Sequence, residues 1–214
     1  MKVELEEVLP GEIEKRSFEI ITRELGDRIL DEEKAPLIKR VIHTSADFEY
    51  ADTLCFSDDV IAKALNAIKS GASIVTDTQM GRAGINKRSL AKYGGQVYCF
   101  MSDEDVAAEA KKNGTTRAVA SIDKAAAMDQ PLIFAIGNAP TALIRIYELV
   151  KEGKLSPALV IGVPVGFVNV VQSKELIMKT EVPYIVARGR KGGSNVAAAI
   201  CNALLYMIDE KRGN

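Results

Sequence analysis

Apolar residues recur at helical spacing over the first fifty positions. After that they cluster in short runs separated by further helical patterns. Ile13, Phe18, Ile21 and Leu25 share one face of a helix that opens near Pro10 and stops at Gly26. A second helix starts at Asp31 and buries Leu37, Ile38, Val41 and Ile42, which puts His43 in its last turn or just past it. From residue 57 onward the pattern alternates. Ser57 caps a helix carrying Val60, Ile61, Ala64, Leu65 and Ile68, ended by Gly71. Residues 73–76 read as a strand, Asn86 caps a helix that runs to Tyr93, and 96–101 is β-rich. Ser102 opens a helix that Gly114 closes, and 115–128 is helical. Strands at 132–136, 158–163 and 184–187 then alternate with three helices. The first runs from Pro140 to Gly153, the second covers 173–180, and the third is capped by Ser194 and reaches Glu210.

Strands of four to six apolar residues alternating with helices predict an α/β protein. Its sheet is mostly parallel, doubly wound and covered on both faces. A single domain over 1–214 is expected, with a helical N-terminal segment over 1–50 and an alternating core over 57–214. Such sheets bind ligands outside the carboxyl ends of their strands. Four loops therefore stand out: 77–84, 137–140, 164–169 and 188–194.

Composition narrows the partners. There are 28 basic and 29 acidic residues, a balance that argues against a nucleic-acid partner. The most apolar run, 158–171, is broken by Gly162, Pro164, Gly166 and Asn169, so no membrane partner is expected. Residues 1–10 carry Lys2, Glu4, Glu6 and Glu7 rather than a basic segment followed by an apolar one, and are not read as a signal peptide. Cys55, Cys99 and Cys201 are isolated in apolar surroundings. They read as reduced, buried thiols of a cytoplasmic protein.

The sharpest chemistry lies in Arg188-Gly189-Arg190-Lys191-Gly192-Gly193-Ser194-Asn195. Three cations supply charge, three glycines let the backbone approach a ligand, and the following helix adds its N-terminal N–H groups. The combination suits a carboxylate or a phosphate, although a flexible basic turn would look the same. It matches neither a P-loop nor a dinucleotide fingerprint. Gly137-Asn138-Ala139-Pro140-Thr141 is either turn and cap chemistry or ligand contact. Asp77 follows a strand, where it would serve as a catalytic or binding carboxylate, a cap or a partner of Arg82. Thr115-Thr116 would cap a helix and aim Arg117 at an anion.

His43 is the only histidine, so any imidazole proton chemistry must use it. Thr44, Ser45, Asp47 and Glu49 lie close enough in sequence to hydrogen-bond its ring. No histidine cluster, H-E-x-x-H or C-x-x-C occurs, so no protein-built metal site is expected, and no G-x-S-x-G elbow is present.

Taken together, these segments resemble the precorrin isomerase family, the precorrin-8 or cobalt-precorrin-8 methylmutases of corrin (vitamin B12) biosynthesis. The carrying motifs are Arg40-Val41-Ile42-His43-Thr44-Ser45-Ala46-Asp47, Thr76-Asp77-Thr78-Gln79-Met80 with Gly84-Ile85, Thr116-Arg117, Ala135-Ile136-Gly137-Asn138-Ala139-Pro140-Thr141-Ala142-Leu143, Ile161-Gly162-Val163-Pro164-Val165-Gly166-Phe167-Val168 and Gly189-Arg190-Lys191-Gly192-Gly193-Ser194. The resemblance spans nearly the whole chain.

The resemblance implies a three-layer α/β/α fold of Rossmann-like character and a homodimer with its site near the subunit interface. The implied reaction moves a methyl group from an α carbon to the neighbouring β carbon of ring C of an anionic tetrapyrrole. It implies His43 as the catalytic acid. Arg117, Arg190 and Lys191, with the amides of Gly192, Gly193 and Ser194, are implied partners of the acetate and propionate arms. Ser17, Arg40, Asp77 and Asn138 are further substrate contacts, and Met80, with Val165 and Phe167, is an apolar floor or ordinary core. A sigmatropic methyl shift needs no hydride carrier, phosphate donor or covalent nucleophile, so no cofactor is expected. Two other readings remain open from the residues: a non-catalytic corrinoid carrier, and an α/β enzyme acting on a small phosphorylated substrate.

Overall fold

A computed structural model describes residues 6–209. In chain order its elements are α1 (Ile13–Leu25), α2 (Ala35–Ser45), α3 (Tyr50–Thr53), β1 (Leu54–Phe56), α4 (Val60–Lys69), β2 (Ser73–Thr76), α5 (Gln79–Gly84) and α6 (Lys87–Ala91). They continue as β3 (Val97–Tyr98), α7 (Glu104–Lys112), α8 (Arg117–Ala126), β4 (Leu132–Ile136), α9 (Pro140–Lys151), β5 (Leu159–Gly162), α10 (Val170–Ile177), β6 (Tyr184–Ala187) and α11 (Ser194–Ile208).

The sheet order is β1-β6-β5-β4-β2-β3. Every neighbouring pair is parallel except β1 with β6, where Leu54 faces Ala187 in antiparallel register. The mostly parallel α/β fold is thus as expected. Strand side chains alternate between faces, and they divide the interior accordingly. Ile133, Ala135, Leu159, Ile161 and Ile185 pack with Leu37, Val41, Ile61 and Leu204 of α2, α4 and α11. Leu132, Phe134, Ile136, Val160 and Val186 pack with Ile122, Ile146 and Ile177 of α8, α9 and α10. These are the three layers. Phe134 is fully buried, and burial of such a side chain stabilises by ~2–3 kcal/mol.

Several boundaries differ from expectation. β1 and α3 fall where the sequence shows no strand or helix signal, and 96–101 contracts to the two residues of β3. Residues 79–84 form a short helix rather than a loop, because the Thr78 hydroxyl accepts from the Gly81 N–H. Ser57 does not cap α4. Its hydroxyl accepts from Tyr184 N–H across the sheet, and left-handed Asp59 precedes the helix instead. α2 starts at Ala35, with Pro36 in its first turn, after turn residues following Asp31. α10 lies three residues earlier than expected, following left-handed Asn169. The expected end of α11 at Glu210 falls outside the described residues. Among those residues, no helix is long and apolar enough to cross a membrane.

Candidate functional site

Because β2, β4, β5 and β6 are parallel and adjacent, the loops that follow them emerge at one edge of the sheet. Hydrogen bonds knit those loops together. Asp77, after β2, is 4% exposed. Its Oδ1 accepts from Gly137 N–H at 2.9 Å, and its Oδ2 accepts from Asn138 N–H at 2.8 Å and Ala139 N–H at 2.5 Å. Burial pushes this carboxyl above the usual carboxylate range, and the three N–H donors pull it back. Asp77 is thus occupied in holding the β4–α9 loop. The Arg82 partnership considered for it is absent: Arg82 Nε donates to Val97 O instead.

The same loops close on the start of α11. The Thr78 and Ser194 hydroxyls lie 2.7 Å apart. A Cβ on Gly137 would sit 2.7 Å from both Cα and N of Ser194, so only glycine admits this approach. Gly193, rather than Ser194, stands at the N-cap, which leaves the Ser194 hydroxyl free of capping duty and directed to Thr78. Gly193 N–H donates to Val163 O at 2.9 Å, and Gly166 N–H donates to Arg190 O at 3.1 Å, tying the β5 and β6 loops together.

His43 lies on α2, which packs along α11 and whose following turn reaches the β6–α11 loop through the Asp47–Lys191 pair. The helix ends because Ala46 turns left-handed and its N–H bonds to Ile42 O. The His43 ring is exposed, and Phe18 of α1 meets it edge-on at 5.6 Å between centroids. Among the described residues no hydrogen bond reaches its nitrogens, so the nearby acids do not orient the ring as anticipated. They hold Lys191 instead: its Nζ is 2.6 Å from Asp47 Oδ2 and 2.6 Å from Glu49 Oε2. Those bonds raise the Lys191 pKa above its ordinary value, and Lys191 lowers that of Asp47.

The other candidates divide into two groups. Arg190, Arg117, Asn138 and Met80 are exposed. The Arg190 guanidinium lies 5.4 Å from the Phe167 ring centroid. Arg117 opens α8, whose cap Thr116 accepts from Val119 N–H and sits 3.2 Å from Thr141 at the start of α9. Asn138 caps nothing, since Ala139 is the N-cap of α9. Met80, Val165 and Phe167 are 70%, 49% and 82% exposed, which rules out the core role considered for them. With Val168 they form exposed apolar surface, Met80 on α5 after β2 and the others on the loop after β5.

Arg40 and Ser17, by contrast, are engaged internally. Arg40 forms a double hydrogen bond to Glu14, at 2.9 and 2.7 Å, and stacks on Phe18 and Tyr206. The Ser17 hydroxyl donates to Ile13 O, one turn back in α1.

Sequence reasoning overlooked Lys174, which is fully buried under the β6–α11 loop, and the Thr78–Ser194 contact. A lysine within an otherwise amphipathic helix carried no signal of burial. Among the described residues no three His, Cys, Asp or Glu side chains form a metal-binding group. A cleft of about 430 Å3 beside β1, lined by Glu33, Lys34, Phe56 and Asp58, contains none of the candidate site residues.

The family model for precorrin-8X methylmutase matches residues 12–207. Cobalt-precorrin-8 methylmutase of Priestia megaterium is 48% identical over 202 residues, covering 94% of this chain and 90% of the relative. Cobalt-precorrin-8 methylmutase of Leptospira interrogans is 44% identical over 209 residues, covering 94% of each. The crystal structure of precorrin-8x methyl mutase from Thermus thermophilus superposes with a TM-score of 0.85 at 36% identity, over 94% of this chain and 98% of that one.

Proposed function

The chain belongs to the precorrin-8X methylmutase family, and from that premise we propose that it converts cobalt-precorrin-8 with His43 as its acid. As a member it is an intramolecular methyl-shifting isomerase of cobalamin biosynthesis. The cobalt form of the substrate is favoured because the relatives at 48% and 44% identity are both named for it.

In the reaction, the methyl–carbon bond breaks at the α carbon of ring C as a new bond forms at the adjacent β carbon. Double bonds shift around the conjugated ring to balance it. His43, as imidazolium, donates a proton or a hydrogen bond to the macrocycle during migration and recovers it afterwards. Its exposed ring, edge-on to Phe18 on the helix whose following turn pairs with the β6–α11 loop, is the observation that carries this assignment. General acid catalysis contributes ~10²–10⁴-fold, and binding the ring in a reactive shape supplies more.

Arg190, Arg117 and Lys191, with the amides around Gly192, Gly193 and Ser194, take the carboxylate arms. Asn138 adds a hydrogen bond, and Met80, Val165 and Phe167 form the apolar shelf. Asp77 acts indirectly, by fixing the β4–α9 loop. Arg40 and Ser17 shape the α1–α2 side of the site. This face is open, whereas a ligand pocket buries most of its ligand. A homodimer whose partner subunit covers the shelf would complete it.

The test replaces His43 with Ala and follows turnover by the absorbance change of the macrocycle. A fall in kcat of ~10²–10⁴-fold with unchanged product affinity is expected. Wild-type turnover by the variant would end the role of His43. A kcat/KM for metal-free precorrin-8 at or above that for the cobalt form would end the cobalt assignment.

A further inference from the structure

α10 buries a charge where its surroundings are apolar. Lys174 has 0% exposure, and α9, β5 and β6 bring Ile146, Val160 and Val186 to the core beneath the helix. The Lys174 Nζ donates to Gly189 O and to Lys191 O, each at 2.8 Å. Among the described residues no carboxylate pairs with it. A buried ammonium held only by carbonyl dipoles is costly, and the cost shows: burial lowers its pKa to about 8.

The two carbonyls are part of a longer arrangement. Arg190 O, between them, accepts from Gly166 N–H. Three consecutive carbonyls of the β6–α11 loop are therefore engaged within the protein, two by the buried Lys174 and one by the β5–α10 loop. The N–H groups of Gly192 and Ser194 have no partner among the described residues. Gly189, Gly192 and Gly193 take φ values of 84°, 158° and 141° to achieve this, and a Cβ on Gly192 would lie 2.0 Å from Val163 O. Turning carbonyls inward removes their negative ends from the outer face, where a carboxylate would meet N–H groups and the positive end of α11.

We propose that Lys174 is a positioning residue for the reaction: it holds the Gly189 and Lys191 carbonyls inward, and a carboxylate arm of the macrocycle seated on the loop is the counter-charge it lacks. This rests on the loop being a carboxylate site, as argued above. The charged groups around it are Arg188, Arg190 and Lys191 on the loop. Glu175 is paired with Arg188 at 3.4 Å, and Asp47 and Glu49 hold Lys191. Loss of the Lys174 proton above pH 8 weakens the site for anions, because the arm is attracted to the ammonium form alone.

Hydrogenobyrinic acid is the probe, a cobalt-free corrin with free acetate and propionate arms and no metal for His43 to ligate. It is titrated by absorbance into wild-type, Lys174→Met, Lys174→Gln and Arg190→Ala protein at pH 7 and pH 9.5. Lys174→Met should bind about tenfold more weakly at pH 7, the scale of one lost charge in a partly desolvated loop. Lys174→Gln, which keeps donors but no charge, should fall between. Wild-type affinity should drop about tenfold from pH 7 to 9.5, and Lys174→Met should lose most of that drop. In turnover the Lys174 variants should raise KM more than they lower kcat, a split that simple destabilisation does not produce.

If Arg190→Ala weakens binding while both Lys174 variants bind like wild type, the Lys174 inference is overturned and the loop reading stands. If all three bind like wild type, both fail. Should the Lys174 variants not fold by circular dichroism, the wild-type profile decides, and equal affinity at the two pH values overturns the inference.

Discussion

The Lys191 ammonium lies 2.6 Å from the Asp47 carboxylate, and this joins the β6–α11 loop to the turn directly after the helix that bears His43. The two regions are far apart in sequence. The contact therefore couples the proposed anion loop to the proposed acid. In the proposed reading, substrate carboxylates and Asp47 compete for the same cation.

Asp47→Asn combined with Glu49→Gln should separate these roles. Hydrogenobyrinic acid should bind at least as tightly, because Lys191 is released, while kcat falls several-fold as the His43 turn loses its tether. Binding titration and steady-state kinetics check this. The stability loss should be small, since the pair is partly exposed. The Asp47 pKa is lowered on folding, so the contribution is present above the unfolded carboxylate range and is lost as pH falls through the lowered value. The protection of residues 44–50 against hydrogen exchange, relative to the intrinsic rate at each pH, should therefore fall below about pH 4.

Asp77→Asn places an amide N–H₂ against backbone N–H donors. Either Gly137 N–H or the Asn138 and Ala139 pair loses its acceptor. A buried donor left unpaired costs ~1–3 kcal/mol, and urea unfolding should show a loss of this size. A midpoint equal to wild type would mean that the carboxylate does not hold the β4–α9 loop.

Gly137→Ala presses a methyl into the Ser194 backbone. Backbone lies on the far side of the contact, so a rotamer change cannot relieve it. Overpacking of this kind costs ~1–3 kcal/mol. The start of α11 should move away, breaking the Thr78–Ser194 contact. Thermal unfolding reads the first effect, and weakened hydrogenobyrinic acid binding reads the second.

Lys174 should leave a signature in stability as well as binding. Its folded pKa, about 8, lies below the ordinary 10.5. The unfolded chain thus holds more protons in that window, and wild-type stability should rise relative to Lys174→Met as pH goes from 8 to 10.5. The rise should be of order 1–3 kcal/mol. Urea unfolding at several pH values measures it, and parallel curves for the two proteins would refute it.

Much of this protein is legible along the chain. β4 and β6 fall at the residues their apolar runs mark, and Asn86, Thr116 and Pro140 start helices as their chemistry requires. Local signals suffice there because a cap or a strand pattern acts within a few residues. β1 escaped notice because Leu54-Cys55-Phe56 is a strand only through its antiparallel pairing with β6, a partner about 130 positions away.

The site divides along the same line. Residue types and spacing alone marked the single histidine, the cationic glycine loop and the four loops at the strand ends, because charge, glycine content and periodicity are properties of short segments. Only the tertiary structure decided which of those side chains are spoken for. Asp77 is consumed by three backbone donors, Arg40 by Glu14, and Lys191 by Asp47 and Glu49, while Arg117, Asn138 and Arg190 stay exposed. It also decided that Lys174 is buried beneath the loop. The physical reason is that hydrogen-bond partners and burial depend on distance in space, which parallel strands and their crossovers bring about between residues dozens of positions apart.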